Sequence, residues 1–280
     1  MRHLPIAFVL LASCADCPCP CPCASPGPAP LTIVQPGQVK WEAAPGFSGG
    51  MMTTIQYGDP VKGPYQALIK FPAGAAAQPH FHKVDEFATV ASGTLLLGTG
   101  ETVDESKAVE VTAGGYVHIP AGVAHWAKCT SDSVIVRFAP GPRELTPCSP
   151  EKPAPNKAAA PKGVTAKDVK WSEVPELAKG AMRHDPYGDG KKEPHVFTLK
   201  FPAGVVRPPH WHGADECVTV LSGKILFGQG EKLDEKKAVE VPAGGYVIVP
   251  AKLPHWLLTK EEAVFTVTVN GPRDIFYVNR

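Results

Sequence analysis

The 280-residue chain lacks any excess of one charge: 28 Lys and Arg stand against 27 Asp and Glu, a formal net charge of +1. The two signs are interspersed, which excludes the electrostatic footprint of a nucleic-acid binder or of a surface drawn to anionic lipid. Helical periodicity is scarce, and Val174 to Lys179 is the only fair candidate. No nucleophile triad, phosphate-binding loop or dinucleotide fingerprint is visible. Beyond residue 23 cysteine is sparse, only Cys129, Cys148 and Cys217. An oxidising compartment would permit a Cys129 to Cys148 disulfide, but connectivity does not follow from sequence.

Long hydrophobic runs are missing too. The apolar stretch Leu4 to Leu11 follows a short basic start, Arg2 and His3, and falls well short of the ~20 residues of a membrane-spanning helix. It reads as a secretory signal ending in Leu11-Ala12-Ser13-Cys14, similar to the bacterial lipobox, in which the cysteine is lipidated and becomes the mature N-terminus. Residues 1–13 are then a signal peptide, Cys14 carries the acyl chains, and they are the only membrane contact. Ala15 after that cysteine resembles the pattern of Gram-negative outer-membrane lipoproteins facing the periplasm. In Cys17 to Cys23 cysteine alternates with proline, which forbids helix and ladder pairing, so 14–35 reads as an extended tether. Its cysteines suit a low-complexity spacer better than a soft-metal site or intermolecular disulfides.

What the chain does have is a duplication. Phe71 to Trp126 and Phe201 to Trp256 align without a gap, and about 33 of those 56 positions are identical. His80, His82, Glu86 and His125 recur as His210, His212, Glu216 and His255, each pair 130 residues apart. Val39-Lys40-Trp41 and Val169-Lys170-Trp171 keep the same offset. The organisation is therefore a first domain over 36–148, a linker rich in Pro, Ala and Lys over 149–161, and a second domain over 162–280.

Each copy consists of short strand-like runs punctuated by glycine and proline. In the first these are Tyr65 to Phe71, Glu86 to Ala91, Thr94 to Leu97, Tyr116 to Ile119 and Val134 to Phe138. The second repeats them at His195 to Phe201, Cys217 to Leu221, Lys224 to Phe227, Tyr246 to Val249 and Ala263 to Val269. Such spacing predicts an all-β sandwich or barrel. Side chains two apart on a strand share a face, so His80 and His82 project together, with Glu86 in the same parity. Turn residues Gly114-Gly115 and Pro120-Ala121-Gly122 bring His125 back beside them. Three imidazoles and a carboxylate converging in a lumen make a site of intermediate hardness for a divalent first-row metal, with positions left open for ligand. The aromatic residues beside the ligands, Phe81, Trp126, Trp211 and Trp256, alternate with them and are expected outside the lumen or between the domains.

Gly74, His80-Phe81-His82, Glu86 and Gly93 resemble the first motif of the cupin superfamily, and Gly114, Pro120, Gly122 and His125 resemble the second. Gly204, His210-Trp211-His212, Glu216, Gly223, Gly244, Pro250 and His255 repeat both. The chain after the tether is thus similar to a bicupin, and the resemblance implies two tandem jelly-roll barrels, each with a metal held by His80, His82, Glu86 and His125 or by His210, His212, Glu216 and His255. It departs from the pattern where Cys129 and Thr259 stand for the closing asparagine and where Lys252 replaces Gly122 of the first copy. Lys252 raises doubt about the mouth of the second site, which is the expected empty one if only one holds metal.

By resemblance to bicupin dioxygenases and oxalate-degrading enzymes, the expected cofactor is one divalent transition metal per domain, Fe, Mn, Ni, Cu or Zn, acting on a small-molecule substrate. Glu86 or Glu216 would then be the catalytic general base. The alternative is a non-enzymatic envelope lipoprotein that binds metal or a small ligand for sensing, storage or structure, and fold alone does not choose between them. No nucleic-acid partner is expected, and a homo-oligomer is left open.

Overall fold

A computed structural model describes residues 30–47, 49–191 and 194–278. The signal peptide and the lipidation site Cys14 lie outside these residues, as does the tether as far as residue 29. Among the described residues the only helical elements are four single 3₁₀ turns, and no helix is long and apolar enough to cross a membrane. Each copy is two antiparallel sheets folded face to face. In the first copy, Glu86–Ser92, Ser133–Ala139 and Tyr65–Phe71 lie at the centre of a seven-stranded sheet. A five-stranded sheet places Ala76–Phe81, His125–Cys129 and Thr94–Thr99 side by side. The second copy repeats both sheets around Glu216–Ser222 and His255–Leu258.

Alternation of residue type explains the layering. Ile69, Val90, Leu95, Leu97, Val111 and Ile135 point into the first barrel and are buried, and Leu199, Val220, Ile225, Phe227, Val241 and Phe265 do the same in the second. Trp126 and Trp256 are fully buried on the opposite face of their strand from His125 and His255. Each lies flat on the backbone of a facing glycine, Gly98 or Gly228, where a Cβ would come within about 2 Å of the indole ring. Neither tryptophan lines a lumen. Trp211 instead stacks on Phe276 at 4.1 Å.

The barrels exchange their edge strands. Thr32–Val34, which precedes the first copy, pairs with Tyr246–Val249 of the second, and Lys162–Val164 pairs with Tyr116–Ile119 of the first. Sequence assigned residues 32–34 to the tether because proline surrounds them, yet the β-branched pair Ile33-Val34 packs against apolar clusters that include the second barrel's core. The barrels also meet through the outer faces of their large sheets, where Leu68 and Val136 pack with Cys217 and Tyr246. Inside that interface Gln66 is fully buried, and its amide donates to Gln56 Oε1 at 2.9 Å and to Thr219 Oγ1 at 3.1 Å, while Thr268 donates to its carbonyl.

One other expectation is corrected, and two points that the sequence left open are filled in. Val174 to Lys179 is a turn rather than a helix, closed by Leu177 N donating to Val174 O at 2.9 Å; the segment is too short for helix nucleation to be offset. Cys129 and Cys148 are free thiols. Cys129 is sealed in the first barrel's core, where burial pushes its thiol up to about 11. Finally, Ala76–Phe81 and Val206–Trp211 are strands although proline interrupts both. Their ladders with the next ligand strand shift register beside His125 and His210, and such irregularities are where a sheet accepts proline.

Candidate metal centres

His80 and His125 face each other across one strand pair, and His82 follows at the strand's end, so the three rings meet in the lumen. In each copy one donor atom from each histidine lies within 4.8 Å of the other two: His80, His82 and His125 in the first, His210, His212 and His255 in the second. All six rings are anchored alike. Nδ1 donates to a backbone carbonyl: His80 to Gln78 at 2.6 Å, His82 to Glu144 at 2.6 Å, His125 to Val123 at 3.0 Å, His210 to Pro208 at 2.6 Å, His255 to Leu253 at 2.9 Å, and His212 to Asp274. A carbonyl only accepts, so Nδ1 carries the proton in every ring and each neutral ring keeps its Nε2 lone pair for the centre. This is the second-sphere arrangement that orients histidine ligands for a divalent cation.

Glu86 and Glu216 complete the clusters differently. Glu86 Oε2 is 3.1 Å from His82 Nε2 and 3.2 Å from Arg137 Nε. The His82 nitrogen is buried without a well-aligned hydrogen-bond partner, although the carboxylate is at bonding distance. Two acceptors at that separation call for a cation between them, a proton or a metal. In the second copy Glu216 Oε1 is 3.5 Å from His212 Nε2 and Oε2 is 3.7 Å from His255 Nε2. That carboxylate spans two imidazoles with no guanidinium competing, and the donor set fits a metal in both barrels.

Electrostatics keep the ligands ready. Burial, then the neighbouring imidazoles, pull His80 down to about 3, and burial with His255 pulls His210 down to about 2. Burial likewise lowers His125 and His255. Burial also works to lower His82, but the charge and hydrogen bond of Glu86 outweigh it and the net shift is upward. Burial would raise Glu86, and the facing histidines reverse that.

The lumens diverge. In the first, Arg137 is 4 % exposed, reaches Tyr65 OH with its Nη2, and leaves beside the histidines a cavity of only about 40 Å³. The corresponding residue of the second copy is Val267, and its cavity is about 240 Å³, walled by Phe197, Leu199 and Phe227. Arg207 also lines that cavity; it is buried, its Nη1 donates to Leu177 O at 2.9 Å, and among the described residues no carboxylate pairs with it. Lys252 is exposed and does not line the cavity. It takes the left-handed conformation, φ 63°, that Gly122 takes in the first copy. The Asn156 segment covers Gly122, where a Cβ would lie 3.0 Å from Pro155.

Sequence reading missed Arg137, Arg207 and a pair of aspartates. Asp85 Oδ1 accepts from Ala121 N at 2.8 Å and Asp215 Oδ1 from Ala251 N at 2.7 Å, tying each His-x-His segment to the turn that delivers the third histidine. Their position immediately before the glutamate in both copies was the available signal. Arg137 and Arg207 had none, since each is present in one copy only.

The sequence model of the cupin domain family matches residues 67–139 and 197–269. Among solved structures, the chain is similar to a putative dioxygenase from Nostoc punctiforme (14% identity, TM-score 0.66, covering 86% of this chain and 82% of that one). It is also similar to the oxalate decarboxylase of Lactobacillus farciminis in a formate complex (13%, 0.60, 90% and 89%) and to a putative glyoxylate induced protein from Pseudomonas aeruginosa (15%, 0.62, 87% and 89%). No curated protein matches the chain significantly in sequence.

Proposed function

The chain belongs to the cupin family, one cupin domain in each half, and on that premise we propose that it is a metal-dependent oxidoreductase or decarboxylase whose working site is the second barrel and whose substrate is a small organic anion. The observation that carries this reading is the set of three histidines with Nδ1 anchored and Nε2 turned inward, beside a carboxylate and an open cavity of about 240 Å³. A bound Fe, Mn, Ni, Cu or Zn ion supplies Lewis acidity and, for the redox-active metals, electron transfer. His210, His212, His255 and Glu216 would hold it. Arg207, a buried cation without a carboxylate partner, supports an anionic substrate and would orient it. Glu216 is placed to accept or return a proton in the cavity, and Phe197, Leu199 and Phe227 exclude water. The dioxygenase and decarboxylase neighbours support this class of chemistry. An envelope location, through acylated Cys14, is part of the same proposal.

The first barrel favours a second reading for itself. Arg137 competes for Glu86 and fills the space where a substrate would sit, which suits a metal held for structure or binding rather than turnover. Elemental analysis of purified protein with oxygen-uptake and carbon dioxide-release assays against oxalate, other small carboxylates and catechols tests both. The expected result is about two metals per chain, with His82→Ala and His212→Ala each removing about one and only His212→Ala abolishing turnover. Metal without turnover of any compound would leave the binding-protein alternative; loss of turnover in His82→Ala with activity kept in His212→Ala would reverse the assignment.

A further inference from the structure

The lumen of the second barrel is continuous from its histidines to the mouth, whereas in the first Arg137 divides it. On the far side of Arg137 from His80 lies a second chamber of about 290 Å³, lined by Phe47, Ile55, Val61, Tyr65, Arg137 and Arg143 among others. Two guanidiniums face it. Arg143 is fixed by donating from Nη2 to Pro45 O at 2.5 Å and by lying over the Phe47 ring, and among the described residues no carboxylate forms an ion pair with it. Arg137 has its one carboxylate, Glu86, on the metal side, and its Nε is buried without an aligned hydrogen bond. Glu42 also lines this chamber, from an exposed position and without an ion pair to either arginine. Glu86 balances Arg137, so the inner end of the chamber carries one guanidinium, that of Arg143, without an ion pair.

Its outer end is apolar. Ile55 and Val61 both line the rim and are 40 % and 80 % exposed. The second barrel has Asp185 and Lys191 at those positions, and there Asp185 pairs with Arg183 at 2.9 Å and with Arg273, the counterpart of Arg143, at 3.3 Å. One copy neutralises its mouth with its own acid; the other leaves cations inside and an apolar rim outside.

We propose that this outer chamber of the first barrel is a ligand site in its own right, taking an organic carboxylate with an apolar body, the carboxylate held by Arg143 and Arg137 and the body lying against Phe47 and Ile55. It requires neither metal centre, so it stands apart from the function proposed above. Bidentate guanidinium recognition selects a planar carboxylate, and the apolar walls select what is attached to it.

The test is calorimetric titration of the full chain, stripped of metal and carrying Arg207→Gln so that the second cavity has lost its cation, with benzoate and with its uncharged analogue benzamide. Benzoate is expected to bind at millimolar concentration or below, with benzamide at least about tenfold weaker. Adding Arg143→Gln should weaken benzoate by about tenfold or more, and Arg143→Lys by less. Ile55→Asp, an exposed position whose change need not disturb the core, places an acid at the rim and should weaken benzoate as well. Absence of benzoate binding at 10-fold above about 1 mM would overturn the proposal, as would binding that Arg143→Gln and Ile55→Asp both leave unchanged in chains that melt as the parent does. Failure of the second barrel to bind metal or to turn over substrate would leave this result unaffected.

Discussion

The two barrels have the same histidines, the same ring anchors and the same fold, and they differ in what fills the lumen. In the first, Arg137 lies against Glu86 and the space beside the histidines shrinks to about 40 Å³; in the second, Val267 leaves about 240 Å³ and the free cation is Arg207. A duplicated site can thus keep the histidines that could hold a metal while its access diverges, because those histidines and the lumen walls sit on different residues. Lys252, the departure most visible in the sequence, is on the outside and marks the copy with the larger cavity.

Exchange of the wall residue breaks the comparison most strongly. Arg137→Val in the metal-free protein leaves buried Glu86 with only His82 beside it and should cost about 3 kcal/mol in the first barrel, read as a lower chemical-denaturation midpoint. Arg137→Val with Glu86→Gln should recover most of that loss, since no charge is then left unpaired. An equal loss in the single and double variants would show that Arg137 acts by packing rather than by charge.

Acid separates the barrels next. His80 and His210 are held at about 3 and about 2, below the ~6.5 of an unfolded histidine, so below pH ~6.5 the unfolded chain binds more protons than the folded one. Stability of the metal-free protein should therefore fall as pH drops from about 6.5 towards 3. The upward shift of His82 acts in the opposite sense and softens the loss in the first barrel above about pH 4.5, below which the lowered Glu86 adds a loss of its own. Hydrogen exchange at pH 7, 5 and 4 in chelator should show protection lost earlier in His255–Leu258 than in His125–Cys129; equal loss would contradict the assignment.

The smallest effect is at the mouth. Lys252→Gly relieves a left-handed backbone and should stabilise the protein by about 1 kcal/mol in thermal melts. Gly122→Lys should destabilise by more, because Pro155 and Asn156 already crowd that position. The same sign for both would mean that the covering segment plays no part.

Much of this architecture was legible in the sequence. Apolar alternation located Tyr65–Phe71, His195–Phe201 and Ala263–Val269, and the 130-residue offset together with turn chemistry brought out the histidine clusters. Parity placed His80 and His82 on one strand, but the extent of Ala76–Phe81 and Val206–Trp211 was not legible, because Pro79 and Pro208-Pro209 suppress the pattern that marks a ladder. Thr32–Val34 was hidden for a related reason: its partner lies more than two hundred residues on, beyond the reach of any local signal. Arg137 and Arg207 could not be read from the duplication, since it emphasises what the copies share and their divergence depends on what they do not.

The exchanged edge strands bear on the order in which the barrels can close. The first barrel acquires its last strand only from Lys162–Val164, after the linker, and the second takes one from Thr32–Val34, ahead of the first barrel. Thr32–Val34 must therefore remain unpaired until the second barrel has formed, a long-range closure that slows the final step of folding. The halves are fastened like two links of a clasp. Cutting the linker after folding should leave them joined, whereas expressing either half alone should leave a bare edge open to pairing with another chain.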